Sequence, residues 1–349
     1  MTDNIDLFVT NYNKNFTGVS ATTANVLIKQ TQIYNSRLVG YPLPGCPKPV
    51  SRTTAYSFAK VKPRNKPFSI WHVRRNNEMR DAIIARDILG LPIKIVFTSA
   101  AQRRHSLVPR WLISKMDTVI ATTKLAASYV PNVGAIIPHG VNTEKFTPSN
   151  NLREAWKKTG YPGVKGIATV GRIRKEKGTD LFVDSMIRVL PNMKDLTALV
   201  IGKAGDKDKS FLENLKSKVN TAGLNNRIIF TGEISAEKIP SIFRSLSLLV
   251  ALPRYEGYGM TPLEGMASGV PFVASNTGYF NEFSDQGRCG KVVPIEDLSS
   301  AVDCINLFLT EEAYRSKASI RSRTAADETY SISNEVGLIS DVYKKLWSL

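Results

Sequence analysis

The chain has 349 residues, 42% hydrophobic and 22% charged, with a net charge of +17. That length suits two domains of ordinary size, and the composition excludes a disordered or low-complexity chain. Cys46, Cys289 and Cys304 are odd in number and scattered, and with three histidines they form neither a disulfide frame nor a metal site. Residues 7–10 read as a strand, followed by a polar loop containing Gly18; residues 21–34 have helical periodicity. The stretch 41–49 is Pro/Gly-rich and irregular, and 68–73 is a short strand. An amphipathic helix is expected over 76–89, with Met79, Ile83, Ile84 and Ile88 on one face and Gly90 as its stop. Residues 93–98, 119–121 and 135–137 read as further strands.

The pattern restarts after residue 151. Strands are expected at 166–170, 196–201, 228–231, 248–252 and 272–274, with helices at 178–190, 210–222 and 236–245 between them. Strands alternating with helices imply parallel sheets covered on both faces. Two such runs predict two Rossmann-like domains, 1–150 and 151–330, joined within 142–164. Arg172, Gly205 and Glu256 each follow a strand directly, which places them on one rim, where open α/β sheets bind ligands. The last segment, 332–349, is an amphipathic helix with Val336, Ile339, Val342, Tyr343 and Leu346 spaced for burial.

The charge is uneven. Residues 60–115 hold 13 Lys/Arg against 3 Asp/Glu, a net of +10. This is either a solvated basic face or a surface for a polyanion: a phosphorylated lipid, an anionic membrane leaflet or nucleic acid. No apolar run is long enough to span a bilayer, and the acidic N-terminus lacks the pattern of a signal peptide.

Glu256 and Glu264 carry the densest signal. Seven residues separate them, in a loop punctuated by Gly257 and Gly259 and then a short helix. Thr261 suits its N-cap, Pro262 its first position, and Gly269 and Pro271 its end. A glycine loop leading to a helix N-terminus offers free N–H groups to phosphate. Tyr258 and Met260 belong to the same anion-binding turn. Two carboxylates beside a phosphate suit the hydroxyls of a ribose and a hexose, so the ligand expected is a nucleotide sugar. Arg172 and Lys177 could neutralise the departing diphosphate and so stabilise the transition state. Arg174 and Lys175 lie alongside, so a plain basic turn is the alternative, and no Walker pattern is present.

This stretch resembles the Glu-x7-Glu signature of family-4 retaining glycosyltransferases. Upstream, Gly171-Arg172 and Lys177-Gly178 resemble that family's Gly-Arg-x4-Lys-Gly segment; residues 275–282 and 290–294 agree downstream. The resemblance implies the α/β GT-B fold, two Rossmann-like domains facing a central cleft, with the C-terminal helix 331–349 packing back onto the first. It implies that Glu256 contacts the transferred sugar, that Glu264 binds ribose hydroxyls, and that Gly171, Arg172, Lys177 and Gly205 serve the donor. A glycine loop after the first strand usually faces the donor; here the double glycine is replaced by Thr17-Gly18-Val19. His72 stands at the first position of the family's His-x-His strand end, with Arg74 at the second. The family's Thr-x-His after the next strand is missing, and His105, five residues later, is the candidate for the same catalytic space. Arg74, Arg75, Arg103 and Arg104, with His72, are the expected acceptor contacts.

Segments 71–86 and 98–115 resemble, more narrowly, the lipopolysaccharide core mannosyltransferases of alpha-proteobacteria. This implies transfer of mannose from GDP-mannose to a Kdo sugar on lipid A, an acceptor whose carboxylate and phosphates would account for the basic window. The expected protein is cytoplasmic and peripheral at the inner face of the bacterial inner membrane. It needs no cofactor besides the donor, no metal and no nucleic acid. A nucleotide-sugar epimerase of the same fold, or a basic binding module without catalysis, are the alternatives.

Overall fold

The structure is a computed structural model describing residues 4–348. The chain begins β1 (Leu7–Asn11), α1 (Gly18–Gln30), β2 (Ser36–Gly40), α2 (Arg52–Ala59), β3 (Ser69–Val73) and α3 (Asn76–Ile83). It continues β4 (Ile93–Ser99), α4 (Leu107–Ser114), β5 (Thr118–Ala121), α5 (Lys124–Ala127) and β6 (Val133–Ile136). Next come α6 (Leu152–Lys158), β7 (Lys165–Val170), α7 (Thr179–Val189), β8 (Leu196–Ile201), α8 (Lys209–Thr221) and β9 (Ile228–Gly232). Then follow α9 (Ile239–Phe243), β10 (Leu246–Ala251), α10 (Met260–Ala267), β11 (Phe272–Ser275), α11 (Phe280–Ser284) and β12 (Gly290–Val293). Three helices close the chain: α12 (Leu298–Thr310), α13 (Glu312–Glu328) and α14 (Ile332–Trp347).

Two units emerge, Met1–Gly140 with Tyr330–Leu349, and Val141–Thr329. In the first, six parallel strands run in the order β2-β1-β3-β4-β5-β6. Alternate residues of each strand face opposite sides. Phe8, Trp71, Val73 and Phe97 pack with Met79 and Ile113 on one side; Leu7, Val9, Ile70 and Val96 pack with Leu27 on the other. The second side is completed by Val336, Ile339 and Tyr343 of α14. Hydrogen bonds fix that helix: Trp347 Nε1 donates to the Phe68 carbonyl at 3.0 Å, and the Glu335 carboxylate accepts the Gly140 N–H at 2.8 Å. Leu349 lies outside the described residues.

Two expectations need correction here. The unit boundary falls at Gly140/Val141 rather than at 150/151. Phe146 packs edge-on against Phe243 at 5.7 Å, and Arg323 donates to its carbonyl at 2.8 Å, which ties this segment to the second unit. The helix expected over 76–89 is α-helical only to Ile83. A wider π-helical turn follows at Ile84–Ile88, closed by the Leu89 N–H donating to the Ile84 carbonyl at 3.0 Å. It leaves Ile84 and Ile88 exposed instead of buried.

The second unit has its own six-stranded parallel sheet, in the order β12-β11-β10-β7-β8-β9. Its strands are almost wholly apolar, as a sheet covered on both faces requires; Ile167, Val200, Leu248 and Val273 pack with Phe182, Met186 and Phe308.

Candidate active site

The strand order of the second sheet reverses between β7 and β10, the position at which open α/β sheets form a ligand crevice. The loop after β7 supplies Gly171, Arg172 and Lys177. The loop after β10 supplies Glu256 and Gly259, and the first turn of α10 supplies Thr261. All six line one pocket. Gly178 closes the first loop with φ +66°, and its missing Cβ lets the backbone lie against the Leu252 carbonyl. Arg254 fastens the two loops together. Its N–H donates to the Glu176 carbonyl at 2.8 Å, and its guanidinium donates to both Asp180 oxygens at 2.9 Å and to Glu296 at 2.5 Å.

This clamp sets Lys177 beside Glu256. Lys177 Nζ donates to Glu256 Oε2 at 2.6 Å, with both side chains about a quarter exposed, at 26% and 23%. Glu256 Oε1 accepts the Gly257 N–H at 3.0 Å, and the Glu256 N–H donates to Thr277 Oγ1 at 3.1 Å. The carboxylate is therefore held in one orientation. Arg172 is exposed on the same pocket.

Thr261 is not the N-cap. Gly259, at φ +96° with its α-carbon against the Phe280 ring, turns the chain into α10 at Met260. Thr261 and Pro262 therefore sit inside the first turn, and no side chain caps the helix. Its free N–H groups lie next to a pocket holding two cations, an arrangement suited to a diphosphate. Glu264 is half-buried one turn on and does not line the pocket. Burial pushes its carboxyl up to about 7, against the opposing pull of Lys145.

The remaining donor candidates divide. Tyr258 is buried, its ring stacked on Tyr279 at 5.3 Å, so its side chain belongs to the core. The Gly257 N–H is already taken by Glu256. Met260 is half-buried at the start of α10. Gly205 is exposed in the loop after β8 but does not line the pocket. Gly18, in the first unit, is the exposed first residue of α1, behind the Thr17 N-cap.

His72 is not an acceptor ligand. It is fully buried, with Nδ1 2.5 Å from the Tyr343 hydroxyl and Nε2 2.6 Å from Thr98 Oγ1. Burial, aided by the Arg74 charge, holds its pKa well below the usual histidine value, so the ring is neutral. Arg75 is likewise committed: it donates to Glu78 at 2.8 Å and to Asn11 and Ser20 at 3.0 Å, bracing the start of α3. Arg74 differs. It lines a pocket of the first unit with Ser99, His105 and His139, and its Nε and Nη1 are buried without a hydrogen-bond partner among the described residues. His105 Nε2 is unpartnered in the same way, and burial followed by the Arg103 charge lowers its pKa. Arg103 and Arg104 are exposed in the loop after β4.

Sequence reasoning missed Arg254, Asp180 and Thr277. The Arg254–Asp180 pair spans 74 positions, and its only local hint is an arginine directly ahead of the glutamate loop.

Two parallel-sheet units and a cationic, carboxylate-bearing pocket at the reversal of the second sheet define the class of GT-B glycosyltransferases. Residues 153–325 match the family described as glycosyl transferases group 1. The chain is 38% identical, over 98% of its own length and 98% of the relative's, to the lipopolysaccharide core biosynthesis mannosyltransferase LpsB of Rhizobium meliloti (strain 1021). It is 34% identical to the lipopolysaccharide core biosynthesis mannosyltransferase LpcC of Rhizobium leguminosarum bv. viciae, over 98% and 97% of the two chains. Among solved structures, Anabaena Alr3699/HepE in complex with UDP superimposes with a TM-score of 0.83, at 14% identity, over 98% of this chain and all of that one. The chain belongs to the group 1 glycosyltransferases and is an enzyme of that class.

Proposed function

We propose that the enzyme transfers mannose from GDP-mannose, with retention of configuration, to an anionic lipopolysaccharide core acceptor, a Kdo sugar on lipid A. The second unit takes the nucleotide sugar and the first presents the acceptor. The observation that carries this reading is the convergence of Arg172, Lys177, Glu256 and the uncapped α10 N-terminus on one pocket. The names of the two rhizobial relatives support the sugar and the acceptor class.

Arg172, Lys177 and the α10 N–H groups would hold the diphosphate and take up the charge that grows as it leaves. Lys177 has three N–H donors, so it can reach phosphate while still bonded to Glu256. The Glu256 carboxylate would face the positive charge on the transferring sugar, and Glu264 the ribose hydroxyls. Glu256 is the one carboxylate lining this pocket among the described residues, and in this reading attack runs on the face the leaving group vacates. The departing phosphate oxygen takes the proton of the acceptor hydroxyl, unlike the two-carboxylate scheme of retaining hydrolases. The cations already present would supply the charge a metal brings elsewhere, so the donor is the only small molecule this reading requires. Arg74, Arg103 and Arg104 are the acceptor cations, and His105 borders the same pocket as Arg74. The acceptor lies in a membrane, so the enzyme works at the cytoplasmic surface; among the described residues no helix is long and apolar enough to cross a bilayer.

Nucleotide release from a panel of nucleotide sugars, with and without Kdo-lipid A, tests this. GDP release from GDP-mannose that depends on acceptor is the expected result. Conversion of the donor without acceptor would replace transfer by epimerisation. Turnover with a different nucleotide sugar would overturn the mannose assignment.

A further inference from the structure

The short helix α4 is turned inside out along one side. Leu112 and Ile113 are buried against the first sheet, yet Leu107, Val108 and Trp111 are 80%, 68% and 56% exposed. Their spacing, i, i+1 and i+4, puts them on one face. Cations frame that face. Arg110 is exposed beside it, and Lys115 Nζ sits 5.9 Å from the Trp111 ring centroid. Residues 99–116 contain no acidic side chain, and the next one, Asp117, is already bonded by Arg86 and Lys94. Arg86 also donates to the Lys115 carbonyl at 2.9 Å, which holds the end of α4 in place.

Three large apolar side chains in water need a partner. A second copy pairing through this face would set Arg110 and Lys115 near their own duplicates. An anionic surface with an apolar interior matches both features, and a tryptophan beside a lysine suits the boundary between headgroups and acyl chains.

We propose that the exposed face of α4 docks on an anionic phospholipid bilayer, with Leu107, Val108 and Trp111 entering the headgroup–acyl boundary and Arg110 and Lys115 meeting lipid phosphates. The inference deepens the reading of a membrane-borne acceptor, but its test needs neither donor nor acceptor.

Sedimentation with vesicles of phosphatidylcholine, alone or with phosphatidylglycerol, is the measurement. Native protein should bind only the anionic vesicles. Leu107→Ser with Trp111→Ser should weaken binding by about tenfold or more, and Arg110→Ser with Lys115→Ser by a similar factor, on the order expected for two interfacial cations. Tryptophan emission should shift to shorter wavelength on binding, and Trp111→Phe should abolish that shift. Undiminished binding by the Leu107/Trp111 variant would overturn the proposal. So would a native dimer, formed without lipid, that the same variant dissociates. Thermal melting of each variant, followed by circular dichroism, checks folding. Protein that docks on vesicles yet binds no nucleotide would refute the donor reading alone.

Discussion

Lys177 Nζ and Glu256 Oε2 stand 2.6 Å apart, although 79 positions separate them in the chain. Each is the immediate electrostatic environment of the other, so their contributions to turnover should not add. Lys177→Ala and Arg172→Ala should each raise the barrier by about 2–4 kcal/mol, as loss of one preorganised charge does. Glu256→Gln should depress turnover strongly. The Lys177→Ala/Glu256→Gln double variant should lose clearly less than the two single losses together, measured as a kcat/KM cycle. Strict additivity would mean that the pair does not act as a unit.

Glu264 predicts a pH dependence. Its carboxyl, held up to about 7 by burial, keeps its proton at pH values where an unfolded glutamate, near 4.3, has lost it. The folded state then binds more protons than the unfolded state, so stability should fall as pH rises through that window and level off above about 7. Glu264→Gln should flatten the melting temperature over the same range. Ribose hydroxyls donate stronger, charge-assisted bonds to the ionised carboxylate than to the neutral acid, so nucleotide affinity should rise with pH through about 7 in the native enzyme only. Equal pH profiles for native and variant protein, by calorimetry, would exclude this role.

The His72–Tyr343 contact is structural. Tyr343→Phe removes the hydroxyl that meets His72 Nδ1 and accepts from Gln30 Nε2 at 3.2 Å. It should cost about 1–3 kcal/mol in chemical denaturation, the range for leaving buried polar partners unsatisfied. The acceptor KM should stay unchanged in the variant at permissive temperature. An acceptor KM that rises without loss of stability would return His72 to the binding face.

The acceptor arginines should separate by salt. Arg103 and Arg104 are exposed, so replacing both with serine should raise the acceptor KM at low ionic strength and have less effect at high. Arg74 is half-buried with unpartnered nitrogens, so Arg74→Gln should raise the acceptor KM at any salt concentration. GDP affinity should be unaffected in both cases. A matching loss of GDP affinity would show that these arginines serve the fold or the donor.

The Arg254 clamp should matter for position, not charge alone. Arg254→Lys keeps the cation but cannot make the paired bonds to Asp180. It should lower kcat while leaving the melting temperature within a few degrees of native. Full activity in Arg254→Lys would show that Lys177 and Glu256 are set without it.

By itself the sequence determined whatever is written within one strand, loop and helix. The apolar runs of β7, β8 and β10 declare a sheet covered on both sides, and Gly171, Arg172, Lys177, Gly178, Glu256 and Glu264 stand at fixed distances from strand ends. Gly171, Arg172, Lys177 and Glu256 converge because parallel strands deliver their carboxyl ends to one rim. Tertiary structure decided the rest, through contacts between positions far apart. His72 reads like a ligand until Tyr343, 271 positions away, covers it. Gly259, at φ +96° with the Phe280 ring where a Cβ would stand, leads into α10 at Met260, and Thr261 falls inside the first turn instead of at the cap. Whether Trp111 is core or surface depends on which side of α4 the sheet occupies, a choice that helical periodicity cannot make for eight residues with apolar groups on both sides.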